Sequence, residues 1–167
     1  MSAEGVLGLP GGGSHSRVVR WSSLIASLVP WQLLILVTGL FLVVPTLSRH
    51  GLAELMTALV GSDDGGTGMY RAAAAGAALS NLLNNLPAYA AGEAVISTGH
   101  HDVLLALLIG TNVGPVVTPW ASLATLLWYE RCRIDGILIS WRRFVGTGAV
   151  TALACLGTAT GALVLLG

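Results

Sequence analysis

The chain has 167 residues, of which 54% are hydrophobic and only 10% are charged. Soluble domains usually carry about 25% charged residues, so this composition indicates an integral membrane protein with several spans. The net charge is zero and no lysine occurs, which excludes the basic surface that nucleic-acid binding requires. We therefore expect the lipid bilayer, and no nucleic acid, to be a partner of this chain.

The N-terminal part of the chain changes character near residue 20. Residues 1–20 lack the apolar core of a cleavable signal peptide and predict a flexible polar segment, followed by a membrane domain over residues 21–167. Residues 24–47 carry no charge and exceed the roughly 20 residues that a helix needs to span a bilayer. They predict the first span. Residues 48–70 predict an interfacial helix and a loop.

A polar stretch interrupts the next apolar segment, residues 71–98. Asn81, Asn84 and Asn85 fall within five residues, and amide side chains are costly in hydrocarbon unless they find hydrogen-bond partners. About ten helical residues on either side, at about 1.5 Å per residue, reach only about half of the hydrocarbon core. We predict a re-entrant helical hairpin whose tip lies at mid-membrane. Residues 80–87 are called the asparagine tip below.

A second interruption follows the same pattern. Residues 103–130 are long and apolar, but two prolines, two glycines and an asparagine fall within residues 110–119, and no helix runs unbroken through such a stretch. We predict a discontinuous span that is unwound near mid-depth, an arrangement typical of secondary-transporter binding sites. Residues 131–143 predict a loop, and residues 144–166 predict a last span with pairs of small residues that favour close helix packing.

The arginines orient these spans. Four of the eight arginines lie in residues 131–143, and the positive-inside rule places this loop in the cytoplasm. Arg17 and Arg20 place the start of the first span on the same side. The first span then ends outside. The loop at residues 131–143 reaches the cytoplasm only if residues 71–98 enter and leave the membrane from outside, so that the broken span runs inward. The charges therefore support the hairpin.

The two interruptions would meet at one depth and form a site. Thr118 followed by Pro119 predicts a helix N-cap, and Pro87 predicts the start of the returning hairpin arm. Two positive helix ends would then favour an anionic or polyhydroxylated ligand. The alternative is that these polar residues only cap and join helices. The side chains expected at the site are those of Ser80, Asn81, Asn84, Asn85, Thr111, Asn112 and Thr118.

Other chemistries find little support in the sequence. No nucleophile, base and orienting group occur at useful spacing, so we do not expect an enzyme. His100, His101 and Asp102 lack partners for a metal site, and Asp102 is a plausible N-cap of the broken span. We expect no cofactor and no metal.

Several motifs together resemble the C-terminal part of arsenite efflux permeases, members of the ion transporter superfamily that also includes citrate and sodium-coupled dicarboxylate carriers. The motifs are Ser-Asn-Leu-Leu-Asn-Asn-Leu-Pro at 80–87, Gly-Thr-Asn-Val-Gly-Pro at 110–115 and Ser-Leu-Ala-Thr-Leu-Leu-Trp at 122–128. The resemblance implies an all-α integral membrane fold of about three transmembrane helices, one discontinuous, and a re-entrant hairpin, like the second half of an inverted-repeat transporter. It also implies that Pro87, Gly114 and Pro115 join the substrate site.

The resemblance implies efflux of arsenite or antimonite across a bacterial inner membrane, with a small oxyanion or hydroxylated metalloid as substrate. Such transporters have roughly ten or more membrane segments. We therefore expect a fragment or half-unit that is inactive alone and works with the missing transporter half or another protomer. A dicarboxylate or sodium-coupled anion carrier and a non-transporting relic or accessory subunit are the alternatives.

Overall fold

A computed structural model describes residues 31–167, and within them the regular structure is helical and no strand occurs. The N-terminal segment 1–20 and the start of the span at 24–47 lie outside the described residues. The chain divides into two compact units, Met1–Ile35 and Leu36–Gly167. The helices are α1 (Trp31–Leu47), α2 (Ala53–Val60), α3 (Gly66–Leu83), α4 (Asn85–Glu93), α5 (His101–Val113), α6 (Leu123–Ile134) and α7 (Trp141–Leu166).

One described helix, α7, is long and apolar enough to cross a membrane by itself. The pair Leu34–Leu47 and Arg49–Val60 would supply a second span if it acts as one bent unit, and His101–Val116 is a shorter apolar helix. The all-helical fold is thus as expected. The number of spans and the re-entrant position of the hairpin remain predictions.

The predicted loop before the hairpin is shorter than expected. It is closed by Asp63, whose Oδ1 accepts a 3.0 Å hydrogen bond from the Gly65 backbone N–H, and α3 then begins at Gly66 instead of near residue 71. The glycines in this stretch lower its helix propensity, and for that reason the sequence favoured a loop. Here Gly68 packs against the Asp63 backbone carbonyl where a Cβ atom would not fit, so tertiary packing overrides that propensity.

Small residues let α3 and α5 lie side by side. Gly110 packs against the Ala73 backbone, and a Cβ atom on Gly114 would come within 2.6 Å of the Ala77 Cα atom. In the contacting pairs 73–110 and 77–114, the residue numbers increase together along both helices, so α3 and α5 run parallel. The two chain interruptions therefore come at the same end of the pair.

The neighbouring helices run back along this pair. In α4, Gly92 packs against the Leu107 side chain of α5, so α4 turns back from the end of α3. In α7, Gly161 lies near the Tyr70 hydroxyl and Gly148 packs on the Val116 backbone, so α7 runs antiparallel to both α3 and α5. These contacts gather α3, α4, α5 and α7 around one core.

The arginine-bearing region is less of a loop than predicted. Helix α6 continues to Ile134, and α7 already begins at Trp141. Gly136, at φ 76°, ends α6. The Ile137 N–H donates a 2.8 Å hydrogen bond to the Cys132 carbonyl, which is the pattern of a helix that ends at a glycine. The connecting loop therefore lies between Ile134 and Trp141.

Candidate functional site

The asparagine tip is a sharp break between α3 and α4 at Asn84. This residue has φ 77° and ψ 153°, a region that non-glycine residues adopt at a cost of about 1–3 kcal/mol. Its backbone still serves both helices, because its N–H donates to the Ser80 carbonyl and its carbonyl accepts from the Ala88 N–H. Helix α4 begins at Asn85, so Pro87 lies in its first turn as expected, where a missing N–H costs no intrahelical bond.

The second interruption, called the broken segment here, covers residues 114–122. Two short 3₁₀ turns, Gly114–Val116 and Pro119–Ala121, replace the α-helix. Thr118 and Ser122 have extended backbones. The predicted discontinuity of the span is thus present.

Of the two expected helix caps, one is correct in position only and the other is wrong. Thr118 is at the N-cap position of the 3₁₀ turn Pro119–Ala121, with Pro119 following it as expected, but its side chain makes no capping bond. Its hydroxyl donates to the Asn81 Oδ1 atom at 2.6 Å. The cap of α6 is Ser122, whose Oγ accepts from the Thr125 N–H at 3.4 Å. Asp102 is not an N-cap: α5 has His100 at that position, and Asp102 lies in the first helical turn, where its charge suits the positive helix end.

Asn81 joins the asparagine tip to the broken segment. Its Nδ2 donates to the Ala77 carbonyl at 2.8 Å and to the Gly114 carbonyl at 3.0 Å. Its Oδ1 accepts from Thr118, as above. Its backbone carbonyl accepts from the Trp120 indole N–H at 2.8 Å. Both amide hydrogens are therefore used, and Asn81 acts as a clamp between the two interruptions.

Asn84 has a different balance of hydrogen bonds. Its Nδ2 donates to the Trp120 backbone carbonyl at 3.1 Å, and a carbonyl partner fixes the orientation of the amide because only the NH₂ group can donate. Its Oδ1 is buried and has no hydrogen-bond partner among the described residues. A buried, unpaired acceptor costs about 1–3 kcal/mol. The tip therefore holds a strained backbone and an unused acceptor on one residue.

The remaining predicted residues divide by exposure. Ser80 and Thr111 are buried and donate to carbonyls of their own helices, at 2.9 and 3.2 Å. Asn112 is exposed and also donates to its own helix, at the Leu108 carbonyl. Asn85 is partly buried, with no side-chain hydrogen bond among the described residues. The predicted residues that only shape the backbone are fully or nearly fully buried, namely Pro87, Gly114 and Pro115.

The breaks lie closer to one end of the fold than expected. Val116 packs on Gly148, the eighth residue of α7, which is about 10 Å from the start of that helix. We expected both breaks at the middle of the spans. The difference arises because α3 has 18 residues before the break at Asn84, about 27 Å of helix instead of about 15 Å. The site is thus nearer the end of α7 that carries Arg142 and Arg143.

Sequence reasoning missed one residue of this arrangement, Trp120. Besides its two hydrogen bonds to the tip, its ring stacks on Trp141, with centroids 5.2 Å apart and planes at 18°. The signal in the sequence is an aromatic side chain with a donor group directly after Pro119. Its partner cannot be inferred from spacing, because the two residues are 21 positions apart in the sequence.

Comparison with known proteins decides the family. A family model described as arsenical pump membrane protein matches residues 14–166. The chain belongs to the arsenical pump membrane protein family. The arsenical pump membrane proteins of Escherichia coli K12 and Yersinia enterocolitica are 34% and 33% identical to it over 150 residues. These alignments cover 81% of this chain and 34% of each relative, so the chain spans about a third of the length of the curated relatives it matches. No solved structure matches it.

The chemical groups at the two interruptions are polar but uncharged. The predicted site residues offer amides, hydroxyls and the start of α4, and none of them carries a charge. A helix start supplies N–H donors, and Asn84 supplies an acceptor. Such a set can form hydrogen bonds with a small molecule that both donates and accepts them.

Proposed function

We propose that this chain forms the C-terminal part of a secondary transporter that exports arsenite or antimonite from a bacterial cell. The observation that carries the proposal is the convergence of two helix interruptions, joined by Asn81, on a tip whose Asn84 oxygen lacks a partner within the described part of the chain. Helix breaks of this kind are what transporters use to turn backbone and amide groups toward a solute.

The polarity of the tip favours a hydroxylated solute. The Asn84 Oδ1 atom needs a hydrogen-bond donor, which a fully deprotonated anion cannot supply. Protonated arsenite carries hydroxyl groups that donate to this oxygen and accept from N–H groups at the start of α4. Asn85 is at the first position of α4, and its side chain makes no hydrogen bond to any residue that the structure describes. It is the second substrate ligand in this proposal.

The chain supplies one half of the proposed site. In the transporter architecture that its motifs resemble, a second tip and a second broken helix complete the site. A half-unit then requires the missing half or another protomer. In this arrangement, the loop between α6 and α7 lies on the cytoplasmic side of a bacterial inner membrane. The exposed face of α7, on which Gly146 and Gly157 have no neighbour within 4 Å of a Cβ position, offers room for packing by that other part.

Arsenite resistance tests this proposal. An arsenite-sensitive bacterium would express the chain alone, or with the reading frames that flank its gene, and growth and retained cellular arsenic would be measured. Variants Asn85→Ala and Leu82→Ala would be compared, since Leu82 lies at the same tip but is 75% exposed and apolar. We expect resistance that Asn85→Ala abolishes and Leu82→Ala preserves, at equal amounts in the membrane.

Two other outcomes decide between the alternatives. Resistance that requires the flanking reading frames would identify a half-unit. Normal membrane insertion without resistance in any combination would contradict arsenite export and favour the non-transporting alternative, in which Asn81 and its partners only hold helices together.

A further inference from the structure

Trp120 connects three parts of the fold that are distant in sequence. Its indole N–H donates to the Asn81 carbonyl at the end of α3, and its own carbonyl accepts from the Asn84 amide. Its ring stacks on Trp141, the first residue of α7. Trp120 is 48% exposed and Trp141 is 42% exposed, so the stacked pair lies at the surface of the fold and not in its core.

These contacts hold the tip in the conformation that hides its acceptor. The Asn84 Oδ1 atom is buried, so a solute reaches it only after the tip moves relative to the broken segment. Any such movement must stretch the bonds that Trp120 makes with Asn81 and Asn84, together with the bonds of the Asn81 side chain to Gly114 and Thr118. Within the broken segment, Trp120 is the residue that bonds to both asparagines.

A second aromatic contact on α7, made by α6 and not by the broken segment, provides a contrast. Trp128 of α6 stacks on Phe144 of α7 with centroids 6.1 Å apart. It is also a stacked pair that ends on the first turn of α7, but it starts from α6, and no hydrogen bond joins Trp128 to the tip among the described residues. Loss of this stack should loosen α6 and α7 without changing the tip.

We propose that Trp120 is a positioning residue that latches the asparagine tip closed and that its stack on Trp141 couples the latch to α7. The inference rests on the proposed function and deepens it, because it names the residue that governs access to the substrate site. A shift at the end of α7 that bears Arg142 and Arg143 would part the rings, weaken the bonds to Asn81 and Asn84, and free the Asn84 oxygen for a hydroxyl donor.

Hydrogen exchange of the full chain in lipid nanodiscs tests the latch. Peptides covering residues 80–88 would be followed in Trp120→Phe, which keeps a ring and removes the donor, and in Trp141→Ala, which removes only the stacking partner. We expect exchange at the tip to become roughly threefold to tenfold faster in both variants, as loss of a weak tether allows. Trp141→Phe should restore slow exchange, and Trp128→Ala should leave the tip unchanged.

The outcomes separate the latch from the proposed substrate. Unchanged tip exchange in Trp120→Phe, or an equal effect of Trp128→Ala and Trp141→Ala, would overturn the latch. Arsenite added to the wild-type chain together with the flanking gene products should change exchange at the tip. The variant pattern without any effect of arsenite would support the latch and contradict the proposed substrate.

Discussion

The side-chain amide of Asn84 donates a 3.1 Å hydrogen bond to the backbone carbonyl of Trp120, while its own oxygen is buried without a partner in residues 31–167. The residue also has φ 77°. Strain of this kind persists only where surrounding contacts hold it, and it is frequent at binding sites. The relationship distinguishes Asn84 from Asn81, whose amide is fully engaged, although the two residues look alike in the sequence.

The first prediction concerns the backbone at Asn84. Asn84→Gly should be at least about 1 kcal/mol more stable than Asn84→Ala, because both lose the bond to Trp120 but only glycine adopts φ 77° without strain. Unfolding of the purified chain in detergent would measure the difference. Equal stability of the two variants would show that the backbone at this position is not strained.

The second prediction concerns the Asn81 clamp. Asn81→Ala should lower the free energy of unfolding by about 1–3 kcal/mol, because the Gly114 carbonyl and the Thr118 hydroxyl lose their partner. Leu82→Ala, one residue away and exposed, should cost less than about 0.5 kcal/mol. The same unfolding assay applies, and a similar small loss for both variants would argue against a clamp.

The third prediction separates packed from unpacked glycines. Gly110→Ala should severely reduce folding, because the new methyl group would overlap the Ala73 backbone and a rigid backbone cannot give way. Gly157→Ala, with nothing within 4 Å of the Cβ position, should fold normally. Yields of monodisperse protein after membrane extraction would compare the two, and a normal yield of Gly110→Ala would contradict the close approach of α3 and α5.

The fourth prediction concerns orientation. Cys132 is partly exposed and follows Arg131, so a cytoplasmic α6–α7 loop brings its thiol near the cytoplasmic side. In a Cys155→Ser background, a membrane-impermeant maleimide should label Cys132 in everted vesicles and not in intact spheroplasts. Labelling of spheroplasts would reverse the proposed topology, and Cys132→Ser is the control for background reaction.

The sequence predicted the positions of both chain interruptions, because Asn, Gly and Pro disfavour helices and stand out within segments that are otherwise apolar. It also predicted that the two interruptions meet, as the Asn81 to Gly114 bond shows. It did not predict the early start of α3 at Gly66 or the Ser122 cap, since both depend on contacts with residues that spacing does not identify. The stack of Trp120 on Trp141 was missed for the same reason.

The most direct test of the central claim is arsenite uptake into everted membrane vesicles that contain the chain and the products of its flanking reading frames. Initial rates would be compared for the wild type, Asn85→Ala and Leu82→Ala at equal protein levels. We predict uptake by the wild type and Leu82→Ala. The initial rate of Asn85→Ala should be at least about tenfold lower, because in the proposed site the Asn85 amide makes one uncharged hydrogen bond to the substrate and helps to preorganise the site. Equal rates for all three proteins would show that the asparagine tip does not bind the transported solute.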